Sequence, residues 1–160
     1  MDRKVYKLSK NISGIFKCDV RIKLELPLQF CPVPAGFPSP AVDYIDTKID
    51  LNVLLIKHPS ATYFVRASGE SMIGASINHG DMLVVDRSLK AKHKDIVIAV
   101  VDGEITVKRL HNLCGEIMLI AENDLYSPIV IYEHSDLHIW GVTTYVIHSF
   151  EKKPQKYCPR

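Results

Sequence analysis

Strong net charge is missing from this sequence. Among 160 residues, Lys plus Arg number 20 and Asp plus Glu 18, a formal balance of +2. So weak a field gives no support for gripping phosphate backbones or anionic membranes, and direct sequence-specific DNA binding is not expected. Long apolar runs are missing too. No stretch approaches the roughly 18 uninterrupted apolar residues of a membrane span, and the opening MDRKVYKLSK leads into no signal-peptide core. No membrane association is expected, and a cytoplasmic location is the default. Cysteine is sparse and scattered: Cys18, Cys31, Cys114 and Cys158 form neither a C-x-x-C pair nor a Cys/His run at zinc spacing. They read as free thiols in a reducing compartment, and no metal or other cofactor is expected. His134 and His138 stand four apart, but Asp136 and the strand-like run after them argue against a helix that would align both on one metal.

What is present suffices for one core. A hydrophobic content of 47% in a chain of this length supports a single packed domain rather than two joined by a linker. Val5, Leu8, Ile12, Ile15 and Phe16 are interrupted by Lys, Arg, Ser and Gly, which gives residues 1–30 at best a short, weak helical pattern. This segment reads as an arm. It ends in CPVPAGFPSPA, Cys31 to Ala41, whose four prolines and one glycine suppress helix and sheet and favour an extended, accessible backbone. A protease groove binds peptide in that form.

Asp50 can cap a short helix carrying Leu51, Leu54 and Leu55 on one face, ended by Pro59. Beyond it the pattern turns to β. Strands are expected at Thr62 to Ala67 and Met82 to Asp86, with a hairpin over Asp95 to Leu110 turning at Asp102 and Gly103. Glu116 to Ala121, Ile129 to Tyr132 and Leu137 to His148 supply further runs rich in Ile, Val, Trp and Tyr. The fold expected is mainly β, a single compact antiparallel sheet with a flexible arm before it. The tail EKKPQKYCPR, with two prolines and four cations, reads as a disordered end.

Chemistry concentrates in ASGESMIGASINHGDMLVVD, where Ser71 lies between Gly69 and Gly74. Glycines allow a sharp turn that presents a hydroxyl and its own N–H at one point. Serine is equally common in such turns for local backbone bonding, and the spacing is not the G-x-S-x-G of a hydrolase elbow. Lys108 sits in the apolar run Ile105, Thr106, Val107, Lys108, Arg109, Leu110. A lysine can take a serine proton only if desolvation lowers its pKa from about 10.4 towards neutrality. Alternation puts Thr106 and Lys108 on one face that reads as polar and solvated, so pattern alone leaves a surface lysine and a buried base both open.

The stretch FVRASGESMIGASINHGDMLVVDRSLKAKHKDIVIAVVDGEITVKRL, Phe64 to Leu110, resembles the catalytic core of the LexA and UmuD self-cleaving family. The parts follow the family's order: a small residue and Gly in a Pro-rich stretch, S-G-x-S-M, G-D, then a V-K strand. GFPSPAVDYIDTKIDLNVLLIKHPSATYF, Gly36 to Phe64, is closer to UmuD than to LexA, and the likeness continues through NDLYSPIVI. The resemblance implies a sheet of the LexA/UmuD C-terminal type. It implies that Ser71 is the nucleophile and Lys108 the base, and that the bond between Ala35 and Gly36 is the one cut. N–H groups around Ser71 would hold the oxyanion, while Met72 packs beneath the serine. Residues 1–35 would then be a removable arm, 36–150 the peptidase and dimerisation domain, and 151–160 a tail. By the same resemblance a RecA filament on single-stranded DNA triggers cleavage, and the product is a homodimer serving a UmuC-like Y-family polymerase in translesion synthesis. Two alternatives stand beside this: a LexA-like transcriptional repressor, and a polymerase accessory subunit whose Ser71 and Lys108 are inert.

Overall fold

The structure, a computed structural model, describes residues 7–8, 12–17, 25–29 and 45–150. The bond between Ala35 and Gly36 and the tail 151–160 lie outside the described residues. From residue 50 onward the elements follow the sequence pattern closely. Asp50 caps α1 (Leu51–Leu55), its carboxylate accepting the Asn52 N–H at 2.9 Å. None of the α1 side chains is buried, so the helix lies on the surface. Then come β5 (Thr62–Ala67), β6 (Met82–Asp86), β7 (Ile96–Val101) and β8 (Glu104–Leu113). β9 (Glu116–Ile120), β10 (Ile129–Ile131) and β11 (Leu137–Ile147) follow. Between β7 and β8 the turn residues Asp102 and Gly103 have φ of 49° and 85°. Two successive positive φ values are what a tight hairpin turn needs to match strand twist, and Asp-Gly supplies them at low cost.

The arm departs from the weak helical pattern read in residues 1–30. Its described residues form β1 (Lys7–Leu8), β2 (Ile12–Lys17) and β3 (Glu25–Gln29), the last pairing antiparallel with β4 (Ile45–Asp50). Tertiary pairing overrides local preference here. The edge of β5 offers hydrogen bonds along Ile12–Lys17, and Ile12 is buried in the core beneath it.

The main sheet runs β10-β9-β8-β7-β11-β6-β5-β2, with β1 set parallel beside β8. The other pairings are antiparallel, and the fold class expected from sequence is borne out. Apolar side chains cover both faces. Val65, Ala67, Met72, Leu83, Ile98, Ile105, Val107 and Trp140 fill one core, while Val97, Ala99, Leu110, Leu119 and Val142 fill a second. Alternate residues of β7 and β8 therefore enter different cores, which is why IVIAVV reads as an unbroken apolar run.

β11 joins β7 to β6 and shifts register between Ile139 and Gly141. A Cβ built on Gly141 would lie 2.7 Å from Val85 Cγ1 and 3.2 Å from the Asp86 carbonyl oxygen. Gly141→Ala is expected to cost about 1–3 kcal/mol by overpacking. A chemical-denaturation midpoint measured against the unsubstituted chain checks this; an unchanged midpoint contradicts the close approach.

Candidate active site

β5 ends at Ala67, and the chain turns through Gly69, whose φ is 82°, before reaching Ser71. A short 3₁₀ turn, Ile73–Ala75, follows. Met72 is buried in the first core and anchors the loop from below, as expected of a packing residue. The loop is also clamped from the side by the segment after β9. The Glu122 N–H donates to the Ser71 carbonyl at 2.9 Å, and the Gly74 N–H donates to the Glu122 carbonyl at 2.7 Å. Asn123 Nδ2 adds a bond to the Glu70 carbonyl at 2.9 Å. Arg109 Nε in turn holds the Glu122 carboxylate. Sequence pattern singled out neither Glu122 nor Asn123 for this role, because nothing local marks a strand end that will meet a loop some fifty residues earlier.

Lys108 comes from β8, opposite Val97 of β7. The face that alternation labels polar is in fact covered: Thr106 is 6% exposed and Lys108 4%. Ser71 is 3% exposed, and Lys108 Nζ lies 2.8 Å from its Oγ. Nζ also donates to the Val107 carbonyl at 3.1 Å, and the Tyr126 ring centroid is 6.0 Å away. Among the described residues, no carboxylate is hydrogen-bonded to the amine. Desolvation by burial thus acts unopposed and brings the Lys108 pKa down from 10.5 to about 8. At neutral pH roughly a tenth of such lysines are uncharged, about three hundredfold more than for a free lysine.

Among the described residues, neither the Ser71 nor the Met72 N–H donates to a backbone carbonyl, which leaves both amides at the hydroxyl free to meet a developing negative charge. The structure thus brings Ser71 and Lys108 together, while Ala35 and Gly36 lie outside the described residues. No group of three or more His, Cys, Asp or Glu among the described residues is arranged to hold a metal. His134 stacks on Tyr132 instead.

Residues 28–144 match the model of the family described as Peptidase S24-like. The chain belongs to that family. It is 47% identical over 121 residues to Protein ImpA of Salmonella typhimurium, covering 71% of this chain and 77% of that one. Protein MucA of Escherichia coli is 41% identical over 130 residues, covering 81% and 87%. LexA repressor 1 of Geobacter sulfurreducens is 39% identical over 123 residues, 77% of this chain but 59% of its own length. Within the Peptidase S24-like family the chain is UmuD-like, of the LexA/UmuD type, and the family supports a self-cleaving serine peptidase of the SOS mutagenesis kind. Among the described residues no helix is long and apolar enough to cross a membrane.

Proposed function

We propose that this UmuD-like peptidase cuts its own arm between Ala35 and Gly36, with Ser71 as nucleophile and Lys108 as general base. The observation that carries the reading is the 2.8 Å contact between Ser71 Oγ and a buried amine whose pKa is brought down to about 8. In the first step Oγ bonds to the Ala35 carbonyl carbon as its proton passes to neutral Lys108, and the free amides beside Ser71 take the oxyanion. The ammonium then protonates the Gly36 nitrogen as the C–N bond breaks. Water, deprotonated by the regenerated amine, hydrolyses the ester and leaves a carboxylate on Ala35 and a restored serine.

The UmuD likeness further supports a RecA filament on single-stranded DNA as the trigger. On this reading the filament supplies no catalytic group and acts by favouring the conformation in which the bond enters the site. The shortened product would act as a homodimer with a UmuC-like Y-family polymerase in translesion synthesis. A repressor role finds less support. Upstream of Ala35 the described elements are strands β1 to β3, whereas DNA reading of that kind uses a helix-turn-helix.

Alkaline pH provides the first test. Because the base works uncharged, the rate of cleavage should rise about tenfold per pH unit below pH 8 and level off above it, following the Lys108 pKa of about 8. Intact mass against time from pH 6 to 10 reads this directly, through the appearance of a species beginning at Gly36. A chain that stays whole across the range is an inert accessory subunit. Adding a RecA filament at pH 7 tests the trigger in the same assay.

A further inference from the structure

Each described strand upstream of residue 35 pairs with a strand downstream of it. β1 runs beside β8, with Lys7 opposite Glu104 and Leu8 opposite Ile105. β2 lies along the edge of β5, from Ile12 opposite Ala67 to Lys17 opposite Tyr63. β3 pairs with β4 from Glu25 opposite Asp50 to Gln29 opposite Ile45. The arm is therefore built into the body rather than merely joined to it.

Its position is specific. Without β2 the sheet ends at β5 on one side, and β8 lacks the neighbour that β1 gives its Glu104 end. β1 and β2 touch each other, and β2 also touches β8, so the two short strands bridge these flanks. The flanks carry the chemistry: β5 leads into the Ser71 loop, and β8 bears Lys108. Ile12 is 2% exposed and belongs to the same core cluster as Val65, Ala67, Ile105 and Val107. Ile15 and Phe16, further along β2, are exposed.

We propose that cleavage does not by itself release the arm: β1 and β2 stay in the main sheet and β3 stays on β4, as a noncovalently held peptide, and its later loss uncovers the β5 edge. This rests on the reading that the bond between Ala35 and Gly36 is the one cut. Hydrolysis there breaks none of the three pairings, since all of them are hydrogen-bonded between chain segments on either side of the bond. What the cut removes is the tether. Before it the arm re-pairs as an intramolecular strand at high effective concentration; after it, retention depends on the arm's own affinity, and a competing strand can take its place. Bare, the β5 edge presents unpaired backbone donors and acceptors to any extended peptide.

The test uses the full chain carrying Ser71→Ala and a recognition site for an added endoprotease inserted between Ala35 and Gly36. After cutting, gel filtration and native mass spectrometry should find arm and body travelling as one species, and hydrogen exchange should show the amides of residues 62–67 as protected as in the uncut chain. A body that elutes alone, or β5 amides that lose protection on cutting, overturns the proposal. Ile12→Asp in the same background should lose the arm on cutting, and its retention would count against β2 as the holding strand. Self-cleavage is not involved in this measurement, so a failure of the unsubstituted chain to cut itself would sink the peptidase reading alone.

Discussion

Lys108→Met is expected to do two opposite things: stop self-cleavage and stabilise the fold at neutral pH. Loss of the base removes a contribution of about 10²–10⁴ in rate, which takes a slow self-cleavage below detection. The stability effect follows from the depressed pKa. Burial brings the Lys108 pKa to about 8 in the folded chain against 10.5 for the free group, so the unfolded chain binds more protons between those two values and equally many below both. Folding at pH 7 therefore bears a desolvation cost of about 3 kcal/mol, fully present below pH 8 and relieved as pH rises to about 10.5. Methionine of similar length removes that cost and leaves the Ser71 hydroxyl without its partner, a loss of about 1 kcal/mol. A net gain of about 1–2 kcal/mol is expected in denaturation at pH 7, shrinking to nothing or reversing at pH 10.5. Ser71→Ala should abolish cleavage equally and without the stability gain. Undiminished cleavage in either variant would end the Ser71 and Lys108 assignment; an inactive Lys108→Met with unchanged stability at pH 7 would mean that the amine is better solvated than its burial indicates.

Gly74→Ala is expected to damage the site without touching a reacting atom. A Cβ at this position would sit 2.6 Å from the Glu122 carbonyl oxygen, the same atom that accepts the Gly74 N–H. Both are backbone groups, so neither can rotate aside. The Ser71 loop and the 121–123 segment must separate by several tenths of an ångström or more, straining the paired bond from the Glu122 N–H to the Ser71 carbonyl. The cost to stability is about 1–3 kcal/mol. The cost to cleavage is about 10²-fold, because the hydroxyl shifts against an amine fixed in β8. Cleavage rates at pH 10 together with denaturation midpoints separate the two effects. A variant as stable as expected but cutting at the original rate would show that the clamp does not position Ser71.

The strands between residues 62 and 147 were legible because β-branched runs and turn residues agree with the final pairing at nearly every position. Asp102 and Gly103 chose the hairpin, and its register then set Val97 opposite Lys108. β2 was not legible. Ile12, Gly14 and Phe16 carry no strand period by themselves, and only the open edge of β5 makes the extended form favourable. Met72 packs beneath Ser71, as the family resemblance implies. The clamp formed by Glu122 and Asn123 is not legible, because its two backbone bonds at Glu122 and the side-chain amide of Asn123 reach a loop some fifty residues away in sequence.

The sequence pattern determined the β class, the succession of the strands after residue 60 and the turn between β7 and β8, and the family resemblance singled out Ser71 and Lys108 as the two residues worth pairing. It could not determine the state of Lys108. Alternation along β8 sees only that Thr106 and Lys108 share a face, and a solvated face and a covered one have the same pattern. Covering that face takes the Ser71 loop and the segment after β9, both brought there by contacts that no local rule encodes. Burial then lowers the charge on the amine, because removing an ammonium from water is costly wherever no anion compensates it.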